Sequence, residues 1–236
     1  MRIARTLVLA GVGTLAFALA GCAAQPSRPN PQAALDRAVD LLARGQTKEA
    51  VALHLTPLTT DCIAEYSNSS QRLFAARSPS EAVLYMVMAA TNEKVEKSAV
   101  IETPCAEAHY LLGYAQIELG NLDEAEQHLN HALKWSPHHS QYLSELGHLH
   151  HARKDWTAAL EVFNRAVEGA SFSPEAVKGD HRARALRGVG YSLIELGNLD
   201  EAEKKFQECL EINPQDQMAL SEIEYIQTLR RQRKPI

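Results

Sequence analysis

Aromatic residues make up only 6% of this 236-residue chain, and basic residues are not in surplus. The 24 Lys and Arg side chains are outnumbered by 29 Asp and Glu, which argues against a dedicated nucleic-acid binder. No long apolar run follows the N-terminal one, which excludes a polytopic membrane protein. The contents of 12 Gly and 10 Pro exclude collagen-like and wholly disordered chains. A folded body behind an N-terminal processing or anchoring segment is therefore predicted.

The first 21 residues have the order of regions found in secretory signals. Two arginines precede an apolar stretch over 6–20, which is shorter than the ~20 residues that cross a bilayer. The segment 19–22 reads Leu-Ala-Gly-Cys and resembles the lipobox of bacterial lipoproteins. The resemblance implies cleavage before Cys22 and lipid attachment to it, although an ordinary secretory signal with a chance cysteine is the alternative. We expect a signal peptide over 1–21 and a lipidated, Pro-rich tether over 22–31.

The rest of the chain contains an internal repeat. The string IELGNLDEAE occurs at 117–126 and again at 194–203. Three glycines, Gly113, Gly147 and Gly190, are each followed twelve residues later by an alanine. A bulky apolar residue follows each alanine by four positions, and a small residue comes three positions further on. This pattern resembles the tetratricopeptide repeat, a 34-residue unit of two antiparallel helices. The matching units span 106–139, 140–173 and 183–216.

The resemblance implies an all-α fold, an α-solenoid of about four to five antiparallel helical hairpins. Degenerate helical repeats are predicted over 32–105, with Ser80 capping a helix over 80–90. Within this range 97–104 is predicted to be a connector, for which an extended conformation is left open. Segment 217–236 is predicted to form a capping helix and a basic tail, because its apolar residues recur at helical spacing. The second and third repeated glycines are 43 residues apart, and we assign the surplus near 174–182 to a longer second helix plus a loop.

Turn and cap residues occur where the hairpins need them. Gly120 and Gly197 suit a left-handed helix end, which glycine adopts cheaply. Asn121, Asn198 and Asp155 are each placed to cap the helix that follows. The sequence therefore predicts short, tight turns inside each of the three units.

Three cysteines remain once Cys22 is set aside. Cys209 occupies the small packing position of the last repeat, so a buried thiol is predicted. Cys62 and Cys105 flank the least regular segment and would lie in an oxidising periplasm, so we predict a disulfide between them. Two unrelated buried cysteines are the alternative.

No P-loop, G-x-S-x-G, H-E-x-x-H or glycine-rich nucleotide motif is present, so neither an enzyme nor a cofactor is expected. Eight of the ten histidines lie between His109 and His151, and the pairs 128/131 and 148/151 have helical spacing that can share a zinc or copper ion. No closed four-ligand spacing exists, and several occupy packing positions, so no metal site is predicted. A metal- or pH-responsive periplasmic protein is the alternative function, and an enzyme without a recognisable motif is a third.

The resemblance also implies a binding surface. In tetratricopeptide arrays the first helix of each hairpin lines a concave face, where a segment of a partner protein binds. Helical spacing puts on this face Tyr110, Tyr114, His148, His151, Arg184, Arg187 and Tyr191. Tyr114, His148 and Tyr191 are equivalent and would form a row, unless the tyrosines pack against the neighbouring repeat. Relatives that clamp the C-terminal tails of chaperones carry Lys and Asn where Tyr110 and Tyr114 stand, so a carboxylate-terminal tail is not the favoured ligand.

The function implied is a scaffold or adaptor that mediates protein–protein interaction. Similar repeat lipoproteins help to assemble secretion, pilus or cell-wall complexes. We expect the protein to be held by its lipid in the bacterial envelope, at the outer membrane facing the periplasm. No nucleic-acid partner is expected.

Overall fold

The computed structural model describes residues 30–92 and 97–232 and places eleven α-helices and two β-strands in them. The predicted all-α solenoid is confirmed, with two four-residue strands added. A π-helical turn, Val51–Leu55, joins α2 to α3, and a 3-10 turn, Ala170–Phe172, follows α8. The helices are α1 Pro31–Ala43, α2 Thr47–Ala50, α3 Thr56–Tyr66, α4 Pro79–Ala90, α5 Pro104–Glu118, α6 Leu122–Trp135, α7 Ser140–Ala152, α8 Trp156–Gly169, α9 Glu175–Glu195, α10 Leu199–Ile212 and α11 Gln217–Gln232; the strands are β1 Arg72–Ala75 and β2 Ser98–Ile101.

In this part of the chain, no helix combines the length and apolar character needed to cross a bilayer. The predicted signal peptide over 1–21, Cys22 and the tether as far as residue 29 lie outside the described residues.

Three helical hairpins, α5–α6, α7–α8 and α9–α10, stack in order, and α11 packs on the last of them. Each hairpin turns through three residues, of which the middle one has a positive φ: 81° at Gly120, 59° at Lys154 and 83° at Gly197. The two predicted glycine helix ends are thus confirmed. Lys154 adopts the same left-handed conformation despite the steric penalty of its Cβ.

The caps differ in part from the prediction. The Asp155 carboxylate accepts a hydrogen bond from the Ala158 N–H at 3.2 Å, as expected. The sequence predicts the same role for Asn121 and Asn198, but neither side chain accepts a bond from its helix. The Asn121 amide instead donates to Oε1 of Gln116 at 2.8 Å, which ties the turn back to α5.

Glycine is needed at the three repeated positions because a side chain of the second helix of the same hairpin lies against each of them. A Cβ on Gly147 would lie 2.6 Å from the Phe163 ring, and one on Gly190 would lie 2.6 Å from the Phe206 ring. Both rings are fully buried. The repeat spacing in the sequence therefore encodes the close approach of the two helices in each hairpin.

The surplus residues of the third unit lengthen its first helix. The sequence assigns them to a longer second helix plus a loop, and that prediction is wrong. Helix α8 has 14 residues, as α6 and α10 have, whereas α9 has 21. No proline follows Pro174 within this stretch, so nothing interrupts the helix from Glu175 onward.

Two short strands interrupt the helices of residues 32–105: β1 was not predicted, whereas β2 lies in the connector over 97–104. Strands β1 and β2 pair in parallel, with Arg72 opposite Ser98 and Ala75 opposite Ile101. Strand β1 also contacts α6, and the Ser136 hydroxyl donates to the Ala75 carbonyl at 2.6 Å. The two strands are thus positioned by their pairing with each other and by the contact of β1 with the first hairpin.

Helix α4 begins one residue earlier than the sequence suggests, and its cap lies two residues earlier. Ser78, rather than Ser80, caps it by accepting a bond from the Glu81 N–H at 3.2 Å, because Pro79 has the fixed φ that suits a first helical position. Glu81 is fully buried, lies 2.7 Å from an Arg77 nitrogen and accepts a 2.9 Å hydrogen bond from Tyr85.

The structure joins Cys62 of α3 to Cys105 of α5 in a disulfide, with 5.7 Å between the Cα atoms. The bond fastens the segment that contains β1, α4 and β2 to the first hairpin. Cys209 is a buried free thiol, as predicted, and burial raises its pKa to about 11.

Candidate partner-binding groove

A cavity of about 810 Å³, here called the groove, opens between α7, α9 and the first turns of α11. Helices α7 and α9 are the first helices of their hairpins, and the sequence predicts the binding face on these first helices. Five of the seven predicted residues line it together. The lining residues are His148, His151, Ala152, Trp156, Arg184, Arg187, Gly188, Tyr191, Phe206, Met218, Ser221 and Glu222.

Both arginines of the groove are already paired with carboxylates of the protein. A nitrogen of Arg184 lies 2.6 Å from a carboxylate oxygen of buried Glu145, whose pKa is raised by burial. Arg187 lies 2.5 Å from a carboxylate oxygen of buried Asp216. Asp216 also accepts the Ala219 N–H at 3.1 Å, so the same carboxylate caps α11. The Nε of Arg184 is buried and makes no hydrogen bond within residues 30–92 and 97–232.

His148 and His151, the groove histidines, are neutral near pH 7. Burial lowers the pKa of each to about 4, and the nearby charge of Arg184 contributes at His148. The Nε2 of His151 lies 2.7 Å from the Ser192 hydroxyl, which orients the ring. The groove histidines therefore contribute shape and hydrogen bonding, but no positive charge, at neutral pH.

An aromatic cluster forms one wall. The His151 ring centroid lies 5.0 Å from that of Tyr191 and 5.7 Å from that of Trp156, and Trp156 meets Tyr191 edge-on at 6.0 Å. Tyr191 keeps 39% of its surface exposed, and Met218 across the opening keeps 66%. Exposed aromatic and thioether side chains at the mouth of a cavity are suited to anchor an apolar group of another molecule.

Sequence models of the tetratricopeptide repeat match residues 104–171 and 138–215, and another model of the same repeat matches residues 31–53. The chain carries tetratricopeptide repeats. No curated protein matches its sequence at a significant level.

Solved structures share the tetratricopeptide architecture. The pilF protein of Pseudomonas aeruginosa is similar with a TM-score of 0.58 and 14% identity, over 86% of this chain and 69% of that one. The first repeat domain of Spaghetti (RPAP3), bound to an HSP90 peptide, has a TM-score of 0.49 and 19% identity over 56% and 99%. The N-terminal domain of stress-induced protein-1 from C. elegans has a TM-score of 0.47 and 17% identity, over 53% of this chain and 96% of that one. At 14% identity the likeness to the pilF protein shows the fold alone.

Tyr110 lies between two tetratricopeptide repeats and not on the open groove. Only 8% of its surface is exposed, and its ring stacks on Tyr142 with centroids 4.8 Å apart. Its hydroxyl accepts a 2.9 Å hydrogen bond from the Gln141 amide. The alternative in which a tyrosine packs against the neighbouring repeat therefore describes this residue.

Tyr114 also lies outside the cavity lining. Its hydroxyl donates to the Glu118 carboxylate at 2.6 Å, and this bond raises its pKa to about 12. The expected row across three repeats is therefore reduced to His148 and Tyr191, which line one cavity.

Residues beyond the first helices complete the groove. Trp156 begins α8, Phe206 lies in α10, and Met218 and Glu222 lie on α11. The sequence pattern predicts a binding face on the first helix of each hairpin and a capping role alone for α11. One signal was available: Met218 and Glu222 are four residues apart, so they share a face of α11 at the end of the array.

The histidines of the first hairpin form a separate cluster. His109 is fully buried, its Nδ1 lies 3.0 Å from that of His128, and its ring stacks on His131 with centroids 4.9 Å apart. Burial, with the two neighbouring imidazoles, lowers the pKa of His109 to about 3. Over the described ranges, no group of three or more His, Cys, Asp or Glu side chains is arranged to hold a metal ion. The burial of His109 and its stacking on His131 support a packing role for the cluster.

Proposed function

We propose that this protein is a membrane-anchored scaffold that binds a segment of a partner protein in the groove. The observation that carries the proposal is the groove itself, which two consecutive repeats and α11 build together. Tyr191 and Met218 at its mouth supply apolar surface that nothing in the described chain covers. Concave faces of repeat arrays are suited to bind extended or helical segments, and Tyr is a common anchor at such interfaces.

The proposal includes a lipid anchor at Cys22 and a position in the bacterial envelope, at the outer membrane facing the periplasm. Its support is the lipobox-like sequence over 19–22 and the preceding apolar stretch. Cys22→Ala should release the protein from the membrane fraction or leave it uncleaved, because lipid attachment needs the thiol. A variant that still sediments wholly with membranes after the signal is cleaved would contradict the anchor.

We further propose that the scaffold serves the assembly of an envelope complex, of the secretion, pilus or cell-wall kind. A tether of about ten residues keeps the start of α1 within roughly 30 Å of the lipid, at ~3.1 Å per residue. Partners close to the membrane surface are therefore favoured.

Site-specific photocrosslinking in intact cells tests the binding role. A photoreactive residue at Met218 should capture a protein, whereas one at the exposed Gln207 on α10 serves as the matched control outside the groove. Tyr191→Ala should abolish the Met218 crosslink with little change in melting temperature, since Tyr191 is partly exposed. Equal crosslinks at both positions, or a Met218 crosslink unaffected by Tyr191→Ala, would exclude the groove as the binding site.

A further inference from the structure

The charges around the groove are unequally compensated. Arg184 and Arg187 are each neutralised by a buried carboxylate, Glu145 and Asp216 respectively. The groove histidines are uncharged near pH 7. One lining carboxylate remains, that of Glu222 on α11, and within the described parts of the chain it has no ion pair or hydrogen bond.

Glu222 is half-buried and lies in a negative environment. Desolvation raises its pKa first, and the charge of Glu195, in the last turn of α9, raises it further. Both carboxylates also raise the pKa of Tyr191, so both are near its hydroxyl. The rim between α9 and α11 therefore carries negative charge next to the exposed tyrosine.

The apolar part of the groove lies next to this rim. Met218 precedes Glu222 by four residues on α11, so the two side chains occupy one face about one helical turn apart. Trp156 and Phe206 line the same cavity. A segment bound here would bury an apolar side chain at Met218 and place its neighbouring group, about one turn away, at Glu222.

We propose that the groove selects a segment of the partner with a large apolar side chain and a Lys or Arg within four residues of it, the apolar group packing on Trp156 and Met218 and the cation pairing with Glu222. This inference rests on the proposed function and specifies the chemistry of the partner. It requires no rearrangement of the two internal ion pairs.

An acidic segment does not fit the same charges. It would have to displace Glu145 or Asp216 from the arginines, and the loss of Asp216 would also remove the cap of α11. The unpartnered Nε of Arg184 is buried, so an incoming carboxylate does not reach it without displacing its neighbours. Complementary charge at an interface contributes mainly to the choice of partner, which is the property inferred here.

Selection from a phage-displayed library of random 12-residue peptides on the detergent-purified full chain tests the inference. We expect the enriched peptides to contain Leu, Phe, Met or Trp with Lys or Arg within four residues. Synthetic copies of these peptides should bind Glu222→Gln about tenfold more weakly than the wild type, and higher salt should weaken binding to the wild type more than binding to Glu222→Gln. Glu224→Gln is the matched control, because Glu224 is exposed on α11 and does not line the groove, and should leave the affinity unchanged.

The fluorescence of Trp156 locates the bound peptide. In a Trp135→Phe background Trp156 is the remaining tryptophan of the chain, and an enriched peptide that itself lacks Trp should change its emission. Enrichment of acidic peptides, or equal affinity for Glu222→Gln and Glu224→Gln, would overturn the inference while leaving a peptide-binding groove. No enriched peptide, or binding that neither changes Trp156 emission nor responds to Tyr191→Ala, would overturn the proposed binding role as well.

Discussion

Replacing Gly188 by Ala should destabilise the protein, although Ala is the better helix former. A Cβ at this position of α9 would lie 2.2 Å from Cε1 and 2.3 Å from Cδ1 of Phe163, well inside van der Waals contact. The opposite edge of the ring faces Gly147, where an added Cβ would lie 2.6 Å away. The ring is fully buried between two helices and has no room to move aside.

Two terms of opposite sign determine the size of the effect. Ala in place of Gly in a helix interior stabilises by about 1 kcal/mol. Forcing an extra carbon into a packed core costs about 1–3 kcal/mol, and we take the upper end because the ring is confined on both edges. The net loss is about 2 kcal/mol, which lowers the melting temperature by about 4–8 °C for a body of this size.

Gly179 provides a matched control on the same helix. It is exposed, and a Cβ there would meet only Ile212, at 3.5 Å. Gly179→Ala should therefore stabilise by about 0.5–1 kcal/mol and raise the melting temperature. Thermal unfolding of the full chain, followed by far-UV circular dichroism, gives both values, and the two substitutions should have opposite signs.

A double variant separates ring packing from other effects. In a Phe163→Leu background the ring edge is gone, so Gly188→Ala should be less harmful, with a coupling energy on the order of 1 kcal/mol. If Gly188→Ala raises the melting temperature as Gly179→Ala does, Phe163 does not wedge between α7 and α9 as described. The same conclusion follows if the double variant shows no coupling.

Three further predictions concern stability. Cys62→Ser with Cys105→Ser should lower the free energy of unfolding by about 2–4 kcal/mol, because the disulfide closes a 43-residue separation. Adding a reductant should lower the free energy of unfolding of the wild type by the same amount and should leave that of the variant unchanged. The pKa of about 4 at the groove histidines lies below the unfolded value of ~6.5, because burial favours the neutral imidazole. Their contribution to the stability of the fold should therefore be complete above pH ~6.5 and decline as the pH falls toward 4. Thermal melts at each pH, compared with those of a variant carrying Gln at both positions, measure this contribution. Arg77→Met should cost about 3–5 kcal/mol by leaving buried Glu81 without its cation, and Glu81→Gln in the same chain should recover part of that loss in urea titrations.

Short-range features of the three hairpins could be predicted from the sequence because their causes lie within one repeat. Gly120 and Gly197 take a positive φ that follows from the turn each must make. Gly147 and Phe163 face each other because their spacing places them at the contact of two consecutive helices. The five groove residues on α7 and α9 follow from helical spacing in the same way.

The remaining features depend on contacts between segments distant in the chain, which no local pattern states. Strand β1 pairs with β2 across 26 positions and is positioned by α6, so its four residues carry no clear signal of their own. Tyr110 and Tyr191 both fit the periodicity of a groove face. The neighbouring repeat covers Tyr110, whereas Tyr191 stays open beside α11.

The amino-acid sequence by itself determined the helical hairpins, their turns and the face on which binding is proposed, because these depend on spacing within a repeat. Only the tertiary structure decided which side chains of that face remain open and which charges are left unpaired. Glu145 and Asp216 neutralise the arginines, and α11 adds Met218 and Glu222, so the character of the groove depends on the packing of three successive elements.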